Sequence, residues 1–219
     1  MRAGDVTEIP DFDALYRAEP DPWSVRTSSY EQRKLSITLA CLNRPRYVAA
    51  WDPACGVGEL AFRLADRADR VLATDASAEA VALTRQRCAD RAGVEVARSR
   101  LPLPSAWTGL DLIVLSEFCY YLEAADRRSM LTMINSVAAD DAEVLSVHWR
   151  FKPHDGWLSG ESVQREIAGG LRRSGWTQTT HHLDTNFILD VHRRSSAGGR
   201  PQHPRAIEAT GGGLFETRL

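Results

Sequence analysis

The chain has 219 residues, enough for one domain with a substantial core, and its formal net charge of −2 offers a nucleic acid no basic surface. Cys41, Cys55, Cys88 and Cys119 are scattered, with no C-x-x-C pair or accompanying histidine pattern, so reduced thiols are expected and a zinc site is not. No apolar run approaches a membrane span and the first residues lack the apolar core of a signal peptide, which points to a cytoplasmic protein with no membrane partner.

Residues 1–10 read as a loose N-terminus, and 195–219, rich in Gly, Ser and Pro, as a flexible extension. Between them, 11–194 is the folded domain and 11–45 its helical leading segment. Asp11 or Asp13 caps a short helix carrying Phe12, Leu15 and Tyr16, which Pro20-Asp21-Pro22 breaks. Trp23 follows, and Ser28 or Ser29 caps a second helix through Leu42 with Leu35, Leu39 and Leu42 on one stripe. Val48 to Trp51 is an apolar run of the kind buried on both faces of a sheet. It ends at Asp52, Pro53 stops it, Gly56 and Gly58 permit a tight turn, and Leu60, Ala61, Leu64 and Ala65 then recur at helical spacing.

Arg70 to Thr74 is a second short strand, closed by Asp75. Ser77 caps a helix through Arg91, and Val94 to Ala97 is a third strand. An extended loop, Leu101 to Trp107, leads to a strongly apolar fourth strand, Leu110 to Leu115. A helix from about Ala125 to Ala139 precedes a fifth strand, Ala142 to Val147, which ends at His148-Trp149-Arg150. A helix from Gly160 to about Ser174 is followed by an antiparallel pair, Thr177 to Leu183 and Asn186 to His192, around Asp184-Thr185. His181 and His182 alternate across the sixth strand, so they cannot share a ligand and read as structural. There is no internal repeat.

A strand, a glycine turn and a helix start present unpaired amides at the end of a buried sheet, where anionic or nucleotide-like groups bind. Asp75, about twenty residues beyond the turn, is placed to accept both hydroxyl protons of a ribose lying across the two strand ends. Gly56-Val-Gly58-Glu-Leu-Ala61 also satisfies the G-x-G-x-x-A form used for dinucleotides, and a lone glycine pair is often only a turn. Asp52, directly before the turn, favours a cationic ligand instead.

Asp52-Pro-Ala-Cys-Gly-Val-Gly58, with Asp75 ending the next strand, resembles motifs I and II of the class I S-adenosylmethionine-dependent methyltransferases. The resemblance runs from about Phe12 to Arg193 and departs from the commoner pattern at Ala54, where a glycine is more usual. Asp21 to Lys34, with Ser116-Glu117 and Tyr120-Tyr121-Leu122, is similar to the nodulation protein S group, which is associated with N-methylation of an amino sugar. The resemblance implies a Rossmann-like α/β sandwich with a mostly parallel seven-stranded sheet, an antiparallel last strand and an N-terminal helical lid. It implies S-adenosyl-L-methionine as cofactor, S-adenosyl-L-homocysteine as product, and a small-molecule acceptor.

Carried onto this chain, the cofactor residues are Asp52, Ala54, Cys55, Gly56 and Gly58 of the turn, Asp75 and Ala76, and Ser116 and Glu117. Trp23 and Tyr30 would wall the site, and Arg33 would pair with the cofactor's carboxylate; Arg33 and Lys34 can equally be solvated helix residues. After the third strand the family commonly places an acid for the adenine amino group. Here stand Ser99, able to accept a hydrogen bond, and Arg100, able to stack on the ring. Glu117 could orient or deprotonate an amine, or merely hold the cofactor or cap a helix; His148 has the ordinary pKa of a neutral-pH base, and on the plainer reading simply ends its strand. Tyr120, Tyr121, His148 and Arg150 are candidates for the acceptor side, one tyrosine being core on the plainer reading. O- or C-methylation of another metabolite, and a non-catalytic cofactor-binding role, stay open beside N-methylation. The sequence sets no oligomeric state.

Overall fold

Asp11 Oδ1 accepts from the Ala14 amide at 3.1 Å and starts α1 (Phe12–Ala18), while Asp13, the other candidate cap, accepts instead from the Ser77 hydroxyl at 2.5 Å. The computed structural model describes residues 9–101 and 107–194; the expectations for residues 1–8, 102–106 and 195–219 lie outside these. Ser28 caps α2 (Ser29–Ala40). β1 (Tyr47–Pro53), α3 (Glu59–Leu64), β2 (Ala68–Asp75), α4 (Ala78–Arg87) and β3 (Val94–Arg98) follow. Then come β4 (Leu110–Ser116), a 3-10 turn (Cys119–Tyr121), α5 (Ala124–Val137), β5 (Ala138–Trp149), α6 (Gly160–Arg173), β6 (Trp176–Leu183) and β7 (Phe187–Arg194). None of the described helices is long and apolar enough to cross a membrane.

One sheet takes the seven described strands in the order β3-β2-β1-β4-β5-β7-β6. Strands β1 to β5 run parallel, and β7 lies antiparallel between β5 and β6. Alternation along each strand sends side chains to two cores. Ala50, Ala73, Leu112, Val114 and Leu145 pack with Leu35, Leu60 and Leu64 from α2 and α3. Trp51, Leu72, Ile113 and Leu115 pack with Met130 and Ile134 of α5 and Val163, Ile167 and Leu171 of α6. The apolar run Leu112–Leu115 of β4 is explained by this burial on both faces, while Asp111 beside it accepts from the Val48 and Ala49 amides.

Several boundaries differ from the sequence reading: α4 ends at Arg87 instead of Arg91 and α2 at Ala40 instead of Leu42, and two others have a clear cause. α3 stops at Leu64 because Arg67 donates to the carbonyls of Leu39, Arg44 and Pro45, and Tyr47 N then bonds Arg67 O, so the chain already enters β2 at Ala68. β5 begins at Ala138, directly after α5, where a register shift opposite Leu110 and Leu112 accommodates the polar Asp140 and Asp141. The order of strands reverses between β1 and β4. In open parallel sheets a ligand crevice forms at such a point, outside the carboxyl ends of the strands.

Candidate active site

The turn after β1 is left-handed at three positions: Ala54 (φ 61°), Gly56 (φ 55°) and Gly58 (φ 77°). A Cβ on Gly56 would meet the Tyr16 hydroxyl at 2.9 Å, so glycine is needed there for space as well as for conformation. Gly56 N donates to Asp75 Oδ2 at 3.0 Å and Ser77 N to Asp75 Oδ1 at 2.9 Å. Two backbone turns thereby aim the Asp75 carboxylate across the ends of β1 and β2, with one lone pair on each oxygen still free for a ligand hydroxyl. Burial raises this carboxyl above its ordinary pKa despite those amides.

Asp52 is deeper, 1 % exposed, and its Oδ2 has no hydrogen-bond partner among the described residues. Burial first, and then the nearby charge of Asp75, push its carboxyl well above the usual range, with the Ala61 amide opposing. A buried carboxyl with an open oxygen costs free energy until a donor or a cation meets it.

At the end of β4 the backbone of Glu117 is also left-handed, φ 60°, an uncommon state for a long side chain. It is held there by its own amide on Val147 O (3.0 Å) and by three donors to its carboxylate: Lys34 Nζ at 2.5 Å, the Tyr120 hydroxyl at 2.6 Å and Trp149 N at 2.9 Å. Burial opposes its ionisation, but Lys34, His148 and Tyr120 outweigh burial and hold its pKa below the ordinary glutamate value. The side chain is nevertheless 24 % exposed, so it can still touch a ligand. Its neighbour Lys34 is 5 % exposed, bonded also to Glu31 at 2.9 Å, and set 5.0 Å from the Tyr30 ring.

These groups line one cleft of about 1140 Å³ at the strand ends, covered by α1 and α2. Of the residues singled out in the sequence, it gathers Trp23, Tyr30, Asp52, Ala54, Cys55, Gly56, Asp75, Ala76, Ser99, Arg100, Ser116, Glu117, Tyr120 and Tyr121. Ser99 N bonds Asp75 O, which brings Ser99 and Arg100 to the β2 side of the cleft. Phe12 packs edge-on against Tyr121 (5.2 Å) and lies 6.4 Å from Trp23, making an aromatic wall.

Four expected residues are placed elsewhere. Gly58 is the N-cap of α3, packed against Thr84 and set behind the turn. Arg33 points away from the cleft and pairs with Asp184 at 2.6 Å on the β6–β7 turn, because helical phase separates it from the buried stripe of Lys34, Leu35 and Thr38. Arg150 clasps Glu161 of α6 at 2.8 Å and the carbonyls of Asp184 and Thr185, pinning α6 to the end of the sheet. His148 is fully buried behind Tyr120, with ring centroids 5.5 Å apart, and neither of its nitrogens has a hydrogen-bond partner among the described residues. Burial pushes its imidazole down to about 4 against the pull of Glu117, so it is neutral at pH 7 but has no contact with the cleft through which to take a proton.

The sequence reading named Lys34 only as a solvated helix residue, which its burial overturns, and did not single out Glu31. The available signal was their spacing: Tyr30, Lys34 and Thr38 recur every four residues, and Glu31 and Lys34 are three apart. That stripe lies beside Leu35 and so faces inward.

The strand order, the reversal at β1 and β4, the antiparallel β7 and the glycine turn facing Asp75 define the class I, Rossmann-like methyltransferase fold. Solved structures agree. The N-methyltransferase NodS of Bradyrhizobium japonicum WM9, solved with S-adenosyl-L-homocysteine, superposes with a TM-score of 0.73 at 19% identity over 83% of this chain and 96% of that one. A candidate methyltransferase of Pseudomonas syringae is 37% identical, with a TM-score of 0.65, over 76% of this chain and 100% of that one. The chain belongs to the nodulation protein S (NodS) family, whose profile matches residues 13–150. Nodulation protein S of Sinorhizobium fredii NGR234 is 28% identical over 139 residues, 61% of this chain and 64% of that relative, so the match spans less than two thirds of the relative's length.

Proposed function

We propose that the chain is an S-adenosylmethionine-dependent methyltransferase that methylates the amine of a small molecule, an amino sugar or a related amine, beneath a lid formed by α1 and α2. The observation that carries this reading is Glu117, a carboxylate held at a left-handed backbone position on the same cleft edge as Asp75 and the glycine turn. The residues present fit the cofactor. Asp75 would accept from a ribose, and the open oxygen of Asp52 is an acceptor for an α-ammonium, whose charge would favour the ionised carboxylate that burial disfavours. When bound, the cofactor supplies an electrophilic methyl group on a positively charged sulfur.

The chain's part is alignment, because an in-line displacement gains much of its rate from the geometry of the two reacting groups. Three donors leave Glu117 ionised and weakly basic. Its role is therefore to accept a hydrogen bond from the acceptor's N–H and direct the lone pair. Phe12, Trp23 and Tyr121 exclude water and offer ring faces to a cation or to the apolar face of a sugar. The nodulation protein S relatives, and the N-methyltransferase that shares the fold, support an amine acceptor over a phenol.

Thermal-shift titration tests the cofactor: S-adenosylmethionine should stabilise the chain by about 2.7 kcal/mol at a hundredfold excess over Kd. Stabilisation by a nicotinamide dinucleotide alone would overturn the reading. Mass spectrometry on a panel of amino sugars and phenols tests the acceptor. A methyl gained only by phenols would replace N- with O-methylation, and none gained by any acceptor despite cofactor binding would favour a binding role. Glu117→Gln should lower turnover far more than cofactor affinity.

A further inference from the structure

Two carboxylates converge on Lys34, the lysine buried at the cleft. Lys34 Nζ lies 2.5 Å from Glu117 Oε1 and 2.9 Å from Glu31, at 5 % exposure. Glu31 belongs to the same helix and is partly exposed to solvent; Glu117 directly follows β4, 83 residues along the chain from Lys34. The remaining groups on Glu117 are Tyr120 from the 3-10 turn, Trp149 N from β5, and His148 behind Tyr120. Among these, Lys34 alone is a cation at neutral pH, and it alone comes from the cover of the cleft.

We propose that Lys34 is a positioning residue: its ammonium ties α2 to Glu117, so that the seating of α2 over the cleft and the aiming of the Glu117 carboxylate into it are one state. Unpairing it would leave two partly buried carboxylates close together without a cation and Glu117 at a left-handed backbone with one fewer restraint. Burial by itself would drive the lysine towards neutrality; Glu117 and Glu31 outweigh burial and hold its pKa above the ordinary value. Burial raises Glu31, so on acidification Glu31 takes up a proton before Glu117 and the cross-cleft pair is the last to break. The inference rests on Glu117 facing the acceptor, as proposed above, but its test requires neither cofactor nor acceptor. The two readings can thus fail separately.

The test is carbon-13 NMR titration of the glutamate side-chain carboxyls in the full chain, with Glu117→Gln used to assign the resonance. In the wild-type chain Glu117 should stay ionised until acid unfolding. Lys34→Met should raise its pKa by about one to three pH units, whereas Glu31→Gln, which leaves the cross-cleft pair intact, should keep it low. Lys34→Arg should restore the low value. If Lys34→Met does not fold, the wild-type and Glu31→Gln chains still decide the matter through the Lys34 nitrogen-15 resonance, which must respond when Glu117→Gln is introduced. An unmoved Glu117 titration in Lys34→Met, equal shifts from Lys34→Met and Glu31→Gln, or a Lys34 resonance indifferent to Glu117→Gln would each overturn the proposal.

Discussion

Ala54 occupies φ 61° in the turn that follows β1, where an L-residue with a Cβ is strained by about 1–2 kcal/mol and glycine is not. The departure from the commoner methyltransferase motif at this position is therefore a tolerated cost rather than a different turn. Ala54→Gly should stabilise the chain by up to about 1 kcal/mol once the added freedom of the unfolded glycine is subtracted, seen as a higher thermal midpoint in a melting curve. A lower midpoint would mean that the Ala54 methyl, which packs at the edge of the second core, contributes more than the strain removes. Glu117 is strained in the same sense, but there the conformation sends a carboxylate into the cleft, so relieving it with glycine would remove the group the backbone is bent to present.

Helix α2 shows how one step of helical phase redistributes roles. Successive residues point about 100° apart, so Arg33 and Lys34 cannot serve the same site. The chemical preference for a guanidinium on a carboxylate ligand favoured Arg33, yet the stripe of Tyr30, Lys34 and Thr38 turns the ammonium inward and leaves Arg33 paired with Asp184 at the β6–β7 turn. Arg33→Ala should accordingly leave S-adenosylmethionine affinity unchanged, as isothermal titration would show. A tenfold loss would mean that α2 rotates when the ligand binds. Caps and glycine turns were legible in the sequence because each is decided by a few consecutive residues: Ser28, Ser77 and the Gly56–Gly58 pair stand where they were expected. The early start of β5 was not, since its pairing with β4 and the bulge beside it depend on a strand from elsewhere in the chain.

At the scale of the whole molecule, folding buries an imidazole that prefers to be charged below about pH 6.5. His148 is 0 % exposed and its folded pKa falls to about 4. Between those values the unfolded chain binds more protons than the folded one, so the stability His148 contributes is complete above pH 6.5 and is lost as the pH falls towards 4. The full swing is roughly 3 kcal/mol. Asp52, Asp75 and Glu31, whose carboxyls are raised, act in the opposite sense, so the effect is isolated by difference. The stability advantage of wild type over His148→Met, from urea unfolding, should shrink steadily between about pH 7 and about pH 4. A constant difference would show that the folded imidazole takes up its proton normally.

Much of this architecture follows from the sequence alone, because buried strands, amphipathic helices and glycine turns are written in spacings of two to four residues and in backbone angles that only certain residues adopt. The carboxylates at the ends of β1, β2 and β4 were visible for the same reason: the end of an apolar run is a local feature. Which groups those carboxylates meet was decided only by the folded chain. Lys34 and Glu117 are 83 residues apart, His148 is set behind Tyr120 instead of beside the ligand, and Arg150 turns outward to clasp Glu161 and the β6–β7 turn. Such pairings depend on distance and burial across separate elements, and no periodicity within one element encodes them.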